Sequence, residues 1–282
     1  MKMTDIFNVD GHVAVVTGAA SGLGLAYAEV MADNGATVVM ADLDEAALAR
    51  EAARLEARGG RVEPAVLDVA DTDALRAAID GAAGRHGRLD ALFANAGISA
   101  GPGTLLTPAG GIDQFDVALY QRSIAVNQTA TLMAMRFAVP HMKRRRSGSI
   151  VATASVAGIR SEPICGYGYV ASKAAVINIV RQAAVELAPF NIRVNAIAPG
   201  PFLTNIGDGR LKTNPEVVKL FADMVPMGRL AATDEIKGLA LLLASPAGSY
   251  LTGTVIPIDG GTTAVMTRGS YSTAAARDGA NA

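Results

Sequence analysis

Tyr169 and Lys173 stand four residues apart in Tyr169-Val-Ala-Ser-Lys173, the spacing that puts two side chains on one face of a helix. A phenol loses its proton near pH 10 and is a poor acid or base at neutral pH. An ammonium group beside it favours the phenolate, so the pair is expected to lower the phenol pKa and make it a usable proton donor or acceptor. The same spacing also occurs as ordinary surface packing, and the pair needs company before it means chemistry. Tyr167 competes for the role, but it is six positions from Lys173, about 240° round a regular helix, and cannot share that face. Ser155, in Thr153-Ala-Ser155-Val-Ala-Gly158, is expected at the carboxyl end of a strand, where open α/β sheets gather ligands. A strand-end serine can equally serve only its own turn. Asn127 falls inside a helical stretch although asparagine is a mediocre helix former, and an interrupted helix there would offer a carbonyl to water.

A second group suits an anion. The run Thr17-Gly18-Ala19-Ala20-Ser21-Gly22-Leu23-Gly24 would let backbone N–H groups at a helix start approach a pyrophosphate. With 30 glycines in the chain, three in seven residues could be a plain strand–helix turn. Its context argues otherwise: the run follows the first β-rich segment, opens a helical one, and Asp42 ends the next β-rich segment 18 positions beyond Gly24. From that place a carboxylate accepts both ribose hydroxyls of an adenine nucleotide. Ser21 and Leu43, the neighbours that could bring a compensating cation, are uncharged. Asp42 would repel the 2′-phosphate of NADP by roughly 1–4 kcal/mol near a surface, so NAD is the expected cofactor. The plainer role for Asp42 is a helix-start charge ahead of Glu45.

The elements that must position these residues alternate along the chain. Seven β-rich runs are expected at 12–17, 36–41, 61–67, 89–94, 149–154, 192–197 and 254–258. Helical patterns lie between them at 22–34, 44–58, 71–86, 167–188 and 234–244, with two helical segments inside 112–146. Leu48, Ala52 and Leu55 recur at helical spacing, and Pro189 lies just past the end of the long helix at 167–188. Strand–helix alternation implies right-handed crossovers and a parallel sheet covered on both faces. The expected fold is therefore a single α/β domain over 1–282, a doubly wound parallel sheet of about seven strands. Two stretches break the rhythm: a Gly/Pro loop at 99–111, and 202–225 after a Pro-Gly-Pro turn. Long irregular segments in compact domains are usually lids or binding loops, and 202–225 is read as a substrate lid. Residues 1–11 read as an N-terminal arm and 265–282 as a small, polar tail.

Composition narrows the class. The chain has 282 residues, 50% apolar and 18% charged, with a formal charge of −1. That excludes a disordered chain and argues against a dedicated nucleic-acid binder, whose mark is a basic excess. Lys143-Arg144-Arg145-Arg146 sits at a helix end, where cations favour the dipole, and reads as a solvated face. His12, His86 and His141 are too scattered for a metal site. Cys165 is alone and forms no intrachain disulfide; it either lines a pocket or is an inert buried thiol. No apolar run approaches the ~20 residues of a membrane span and no signal-type segment opens the chain, so it is expected to be soluble and cytoplasmic. The low charge fraction fits subunits that bury faces against each other.

Taken together, the residues resemble the short-chain dehydrogenase/reductase family over nearly the whole chain. The cofactor turn Thr17-Gly18…Gly22-Leu23-Gly24, the pair Asp68-Val69, Asn95-Ala96-Gly97, Tyr169…Lys173, Asn195-Ala-Ile-Ala-Pro199-Gly200 and Ile258-Asp-Gly-Gly261 follow the family's order. The resemblance implies a Rossmann-type fold and an NAD-dependent oxidoreductase passing hydride between nicotinamide and a secondary alcohol or ketone. It implies Tyr169 as general acid/base and Lys173 as the residue that lowers its pKa and bonds the nicotinamide ribose. Ser155 would hold the substrate oxygen, and Asn127 a water linking Lys173 to solvent. Gly18, Ser21, Gly22, Leu23 and Gly24 would cradle the pyrophosphate, and Asp42 with Leu43 the adenosine ribose. Asp68 and Val69 would contact adenine, and Asn95, Ala96 and Gly97 would line the cofactor. Pro199, Gly200, Phe202 and Thr204 would clamp the nicotinamide carboxamide. A homotetramer is implied too, and composition and spacing point to no nucleic-acid, membrane or metal partner.

There are departures. Ala94 precedes the strand-four motif where many members carry Asn, Gln128 replaces an apolar residue, and the 99–111 loop is unusually glycine-rich. Enoyl reductases of the family place their tyrosine seven positions before the lysine; Gly166 stands there, which disfavours that branch. Ketoacyl-carrier reductases prefer NADPH, against Asp42. The competing function is an NAD-binding sensor or scaffold without turnover, which would not need an activated phenol. The pocket, walled by 99–111, 159–166 and 202–225, is largely apolar, with Ser99, Glu162, Asn205 and Asp208 as polar candidates. It suits a moderately hydrophobic secondary alcohol or ketone, or a cyclic polyol.

Overall fold

In the computed structural model, which describes residues 2–206 and 210–265, all seven expected strands form: β1 Val13–Thr17, β2 Thr37–Asp42, β3 Arg61–Val66, β4 Ala91–Ala94, β5 Gly148–Thr153, β6 Ile192–Pro199 and β7 Val255–Ile258. They make one parallel sheet in the order β3-β2-β1-β4-β5-β6-β7. Every residue of β1 and β4 is buried, as expected of strands covered on both faces. The order reverses between β1 and β4, whose register pairs Val16 with Phe93. That opens the crevice in which doubly wound sheets bind ligands.

The helices are α1 Met3–Ile6, a single turn in the N-terminal arm, α2 Gly22–Asp33, α3 Glu45–Glu56, α4 Thr72–His86, α5 Val117–Ser123, α6 Ala130–Arg145, α7 Tyr167–Leu187, α8 Arg210–Thr213, α9 Pro215–Ala222 and α10 Lys237–Ala244. Their starts are written in the sequence. Asp44 caps α3 by accepting from the Ala47 amide, Asp71 caps α4, and Asp116 caps α5 through the Leu119 amide. Such a cap is worth about 0.5–2 kcal/mol. Two hydrophobic clusters cover the two sheet faces, one around Ile79, Leu92, Met142 and Val176, the other around Tyr27, Met40, Leu55 and Phe93. Tyr27 stacks on Phe93 with ring centroids 5.0 Å apart, gaining about 0.5–1.5 kcal/mol beyond area burial.

The structure refines several expectations. The two helical segments within 112–146 are joined without a break by a π-helical turn, Ile124–Thr129. The expected helix at 234–244 begins as a tight turn, Thr233–Ile236, because Glu235 reaches back to the Ala232 amide at 2.8 Å. The irregular 202–225 stretch gains α9, where Asn214 caps and Pro215 opens the helix, a position that needs no N–H from proline. The basic run is absorbed locally: Lys143 lies 4.4 Å over the Phe190 ring, Arg144 bonds His141, and Arg146 donates to the Pro189 carbonyl. Of the expected tail only Val265 is described; 266–282 lie outside the described residues. Among the described residues no helix is long and apolar enough to cross a membrane.

Candidate active site

The glycine turn closes over the end of β1. Gly18 has φ +69°, and a Cβ there would stand 2.9 Å from the Cα of Ala96. Gly24 is tighter still: a Cβ would lie 1.9 Å from the Gly18 carbonyl oxygen, so the first turn of α2 rests on the glycine turn itself. Ser21 precedes α2 in extended conformation and its hydroxyl makes no capping bond. The N–H groups of Gly22 and Leu23 therefore meet the open crevice as unpaired helix-start donors. A Cβ on Gly22 would lie 3.5 Å from the Thr204 side chain, which brings the 199–204 stretch beside the turn. Gly24→Ala is expected to weaken dinucleotide binding at least tenfold and lower Tm, because overpacking against backbone costs about 1–3 kcal/mol or more. Fluorescence titration and a melting curve check this; binding as tight as in the parent would refute it.

Asp42, at the end of β2, is oriented by two backbone donors, Ala20 N–H to Oδ2 at 2.9 Å and Asp44 N–H to Oδ1 at 3.0 Å. Asp44, not Asp42, caps α3, so the plainer reading of Asp42 is met by its neighbour. Leu43 is exposed. Asp68 accepts from the Ala70 amide and from Arg122, and both hold its carboxyl below the usual carboxylate range, the amide more strongly. Val69 is buried beside it. Glycines with no room for a Cβ, free helix-start amides and an oriented carboxylate at the end of β2 fit a dinucleotide.

Asn95 is placed differently from expectation. Its amide donates to the Thr17 carbonyl at 3.0 Å, its side-chain oxygen accepts from Thr153, and its backbone N–H donates to Thr17 Oγ1. The side chain is spent on tying β1, β4 and β5 together. Ala96 also donates its N–H to Thr17 Oγ1, leaving Gly97 as the exposed member of the motif. A Cβ on Gly97 would sit 3.2 Å from Asn127 Oδ1 and 3.4 Å from Lys173 Nζ. At the far side, Gly200 packs against the Asp259 backbone, Phe202 is buried and bridges Ala231, and Thr204 is buried.

Tyr169 and Lys173 occupy the first turns of α7. Lys173 is 3% exposed, its ammonium donates to the Thr153 carbonyl at 2.7 Å, and its Nζ lies 5.7 Å from the Tyr169 ring centroid. Burial pushes the Lys173 pKa down to about 8. The Ser155 hydroxyl, which accepts from the Ala157 amide at 3.1 Å, lies near the Tyr169 hydroxyl and draws its pKa down. Here the structure corrects the sequence reading. In the free protein the phenol is pushed up, not down: burial dominates, Cys165 adds to it, and the Ser155 hydroxyl opposes both. Tyr167 points elsewhere, its ring 5.7 Å from that of Phe115.

Asn127 lies in the π turn with its side chain pinned: Oδ1 accepts from the Ile98 amide at 2.8 Å, and Nδ2 donates to the Ile98 carbonyl and the Ser172 hydroxyl. Its main-chain carbonyl accepts from Thr131 Oγ1 at 2.8 Å. Sequence reasoning missed Thr153, Ser172 and Thr17. Threonine and serine give little warning of such roles, although Ser172 lies inside the Tyr169–Lys173 motif.

The 99–111 loop is sewn to 162–166. Pro102 and Cys165 form an antiparallel bridge, and the Gly103 and Leu105 amides donate to the Ile164 and Pro163 carbonyls at 2.8 and 3.0 Å. A Cβ on Gly166 would strike the Ala100 carbonyl at 2.3 Å. Burial pushes the Cys165 thiol up to about 12, which makes it a poor nucleophile at neutral pH. Glu162 is buried, with Arg160 3.8 Å away; Ser99 is partly buried, Asn205 is exposed, and Asp208 lies outside the described residues. A separate cavity of about 160 Å³, lined by Pro201, Val225, Met227 and Ile258, opens behind the 199–202 turn. Among the described residues no group of three or more His, Cys, Asp or Glu is placed to hold a metal.

A family model described as enoyl-(acyl carrier protein) reductase matches residues 18–263. The chain is 39% identical over 255 residues to cis-4-hydroxycyclohexanecarboxylate dehydrogenase of Sinomonas cyclohexanicum, covering 90% of this chain and 97% of that protein. It is 37% identical to the 3-oxoacyl-[acyl-carrier-protein] reductase FabG of Thermotoga maritima over 90% of this chain and 98% of that one. Galactitol 2-dehydrogenase (L-tagatose-forming) of Cereibacter sphaeroides is also 37% identical, over 93% and 99%. A short-chain type dehydrogenase/reductase from Mycobacterium marinum superposes with TM-score 0.86 and 32% identity, covering 94% of this chain and all of that one. With the sheet order, the glycine turn and the Tyr–Lys pair in place, the chain belongs to the short-chain dehydrogenase/reductase family of oxidoreductases.

Proposed function

We propose that this protein is an NAD-dependent dehydrogenase/reductase interconverting a secondary alcohol and its ketone, with Tyr169 as general acid/base. The observation that carries the reading is the placement of Tyr169 near Ser155 and one helical turn from buried Lys173, whose ammonium is held by the Thr153 carbonyl at the carboxyl edge of the sheet. Bound nicotinamide would supply the hydride donor or acceptor at its C4 and, when oxidised, a positive charge next to the phenol. Ser155 holds the substrate oxygen against the Tyr169 hydroxyl. In reduction the phenol donates its proton to the carbonyl oxygen as hydride reaches the carbon; in oxidation the phenolate takes the alcohol proton as hydride leaves. Lys173 stabilises the phenolate and reaches the nicotinamide ribose. The Asn127 main-chain carbonyl holds a water that connects Lys173 to solvent. Gly18, Ser21, Gly22, Leu23 and Gly24 bind the pyrophosphate, Asp42 and Leu43 the adenosine ribose, and Asp68 and Val69 the adenine. Ala96 and Gly97 line the nicotinamide side, with Asn95 bracing them. Pro199, Gly200, Phe202 and Thr204 hold the carboxamide, and 202–225 forms the substrate lid.

Cofactor choice rests on Asp42, whose two oxygens are aimed by backbone amides and whose sequence neighbour Leu43 brings no charge. kcat/KM is expected to favour NAD over NADP by at least tenfold, and Asp42→Ala to shrink that ratio. Steady-state rates with both cofactors decide, and equal values in the parent would overturn the assignment.

The substrate is proposed to be a small cyclic secondary alcohol or polyol. Relatives named for hydroxycyclohexanecarboxylate and galactitol support this, as does the largely apolar pocket. The FabG relative keeps a ketoacyl-carrier reductase as the second reading; that branch prefers NADPH, against Asp42. An enoyl reductase is disfavoured, since Gly166 occupies the position seven before Lys173 where that branch has tyrosine. Absorbance at 340 nm across cyclic alcohols, polyols and a β-ketoacyl thioester separates these readings. Tight NAD binding with no turnover throughout would leave a non-catalytic sensor. We further propose a cytoplasmic homotetramer. Exposed Val185 and Tyr250 fit buried subunit faces, and a monomer in sedimentation would count against it.

A further inference from the structure

Arg122 has no part in the chemistry above, yet it spans two separate parts of the crevice. It lies on α5, 54 positions from Asp68, and its Nη2 donates to Asp68 Oδ2 at 2.7 Å. The other oxygen, Oδ1, accepts from the Ala70 amide at 2.9 Å. Two donors from different elements thus fix the plane of the Asp68 carboxylate while each oxygen keeps a lone pair. Without Arg122, the carboxylate would be held only by the Ala70 amide and free to turn toward solvent, since Asp68 is only partly buried. α5 is itself anchored, because Gly168 packs on it so closely that a Cβ would stand 2.2 Å from Ser123 Oγ.

We infer that Arg122 is a positioning residue for cofactor recognition: it aims the Asp68 carboxylate so that it accepts from the exocyclic amine of adenine. The inference rests on the proposed contact between Asp68 and adenine. It adds that the selectivity of that contact depends on a guanidinium from another element. A surface ion pair between these two side chains would by itself contribute little to stability. A fixed acceptor is different: it distinguishes an amine donor from a carbonyl acceptor at the same ring position, because the wrong group leaves a charged acceptor facing a lone pair.

The probe is NAD against nicotinamide hypoxanthine dinucleotide, which carries a carbonyl in place of that amine, with Kd measured by calorimetry on the full chain. The parent is expected to bind NAD roughly tenfold or more tightly than the analogue, as a hydrogen bond to a charged group would give. Arg122→Ala should weaken NAD about tenfold, leave the analogue nearly unchanged, and so erase the preference. Arg122→Lys should restore part of it, because an ammonium supplies the charge without the planar fork. Melting curves accompany each variant. If Arg122→Ala weakens both dinucleotides equally, or leaves the preference intact, the inference is overturned while the Asp68 contact stands. If the parent shows no preference, the Asp68–adenine contact itself fails and takes the inference with it.

Discussion

Replacing Tyr169 by Phe is expected to lower kcat by roughly 10²–10⁴, the span usually carried by a positioned acid or base, with the Kd for NAD nearly unchanged. The ring keeps its place on α7 and only the hydroxyl near Ser155 is lost, so packing changes little. Direction of reaction should matter as well. Burial holds the free phenol above its ordinary range, so near neutral pH it is already protonated and ready to donate. Reduction should therefore stay level through neutral pH. Oxidation, which needs the phenolate, should climb as the solution becomes alkaline. Initial rates in both directions against pH read this out; an unchanged kcat in the variant, or oxidation that falls with rising pH, would remove Tyr169 from the role.

Lys173→Met should abolish most activity and yet not weaken the fold at pH 7. The ammonium is buried, and its pKa falls from 10.5 in the unfolded chain to about 8 in the folded one. Below pH 8 both states carry the charge and the burial cost is fully present. Between about 8 and 10.5 the folded lysine gives up its proton while the unfolded chain keeps its own, and the cost is relieved as pH rises. That cost is of order 3 kcal/mol. Methionine removes it but leaves the Thr153 carbonyl without its donor, a loss of about 1–3 kcal/mol. The variant should match or exceed the parent in Tm at pH 7, and the parent should gain on it toward pH 10. Melting curves across that range test the sign; a parent that loses ground as pH rises would show that Lys173 is not the strained group described above.

The sheet was readable because parallel strands buried on both faces are continuous apolar runs, and Val13–Thr17 and Ala91–Ala94 are buried throughout. The helices at 44–58 and 71–86 were readable from their spacing, and the structure shows Asp44 and Asp71 capping them. The Tyr169–Lys173 face followed from spacing alone. The π turn at Ile124–Thr129 was not readable, since slipping one helical hydrogen bond leaves no mark in residue type. The partner of Lys173 is a main-chain carbonyl, an acceptor that every residue carries. The direction of the Tyr169 shift depended on burial, which a four-residue spacing does not report. Asn95 entered as a cofactor-lining residue by resemblance alone, and spacing gave no hint that its side chain bonds Thr17 and Thr153.

The stitching of 101–105 to 163–166 bears on how this enzyme could acquire new substrates. Main-chain groups hold those two stretches together, so most side chains there carry no share of the attachment and can be exchanged without loosening it. Leu105 and Leu106 stand exposed on this frame, and library diversity aimed at them should shift preference among alcohols at little cost in folding. Gly103 and Gly166 are the opposite case, because any Cβ would collide with a facing carbonyl. Mutational tolerance along this edge should therefore alternate sharply between neighbouring positions.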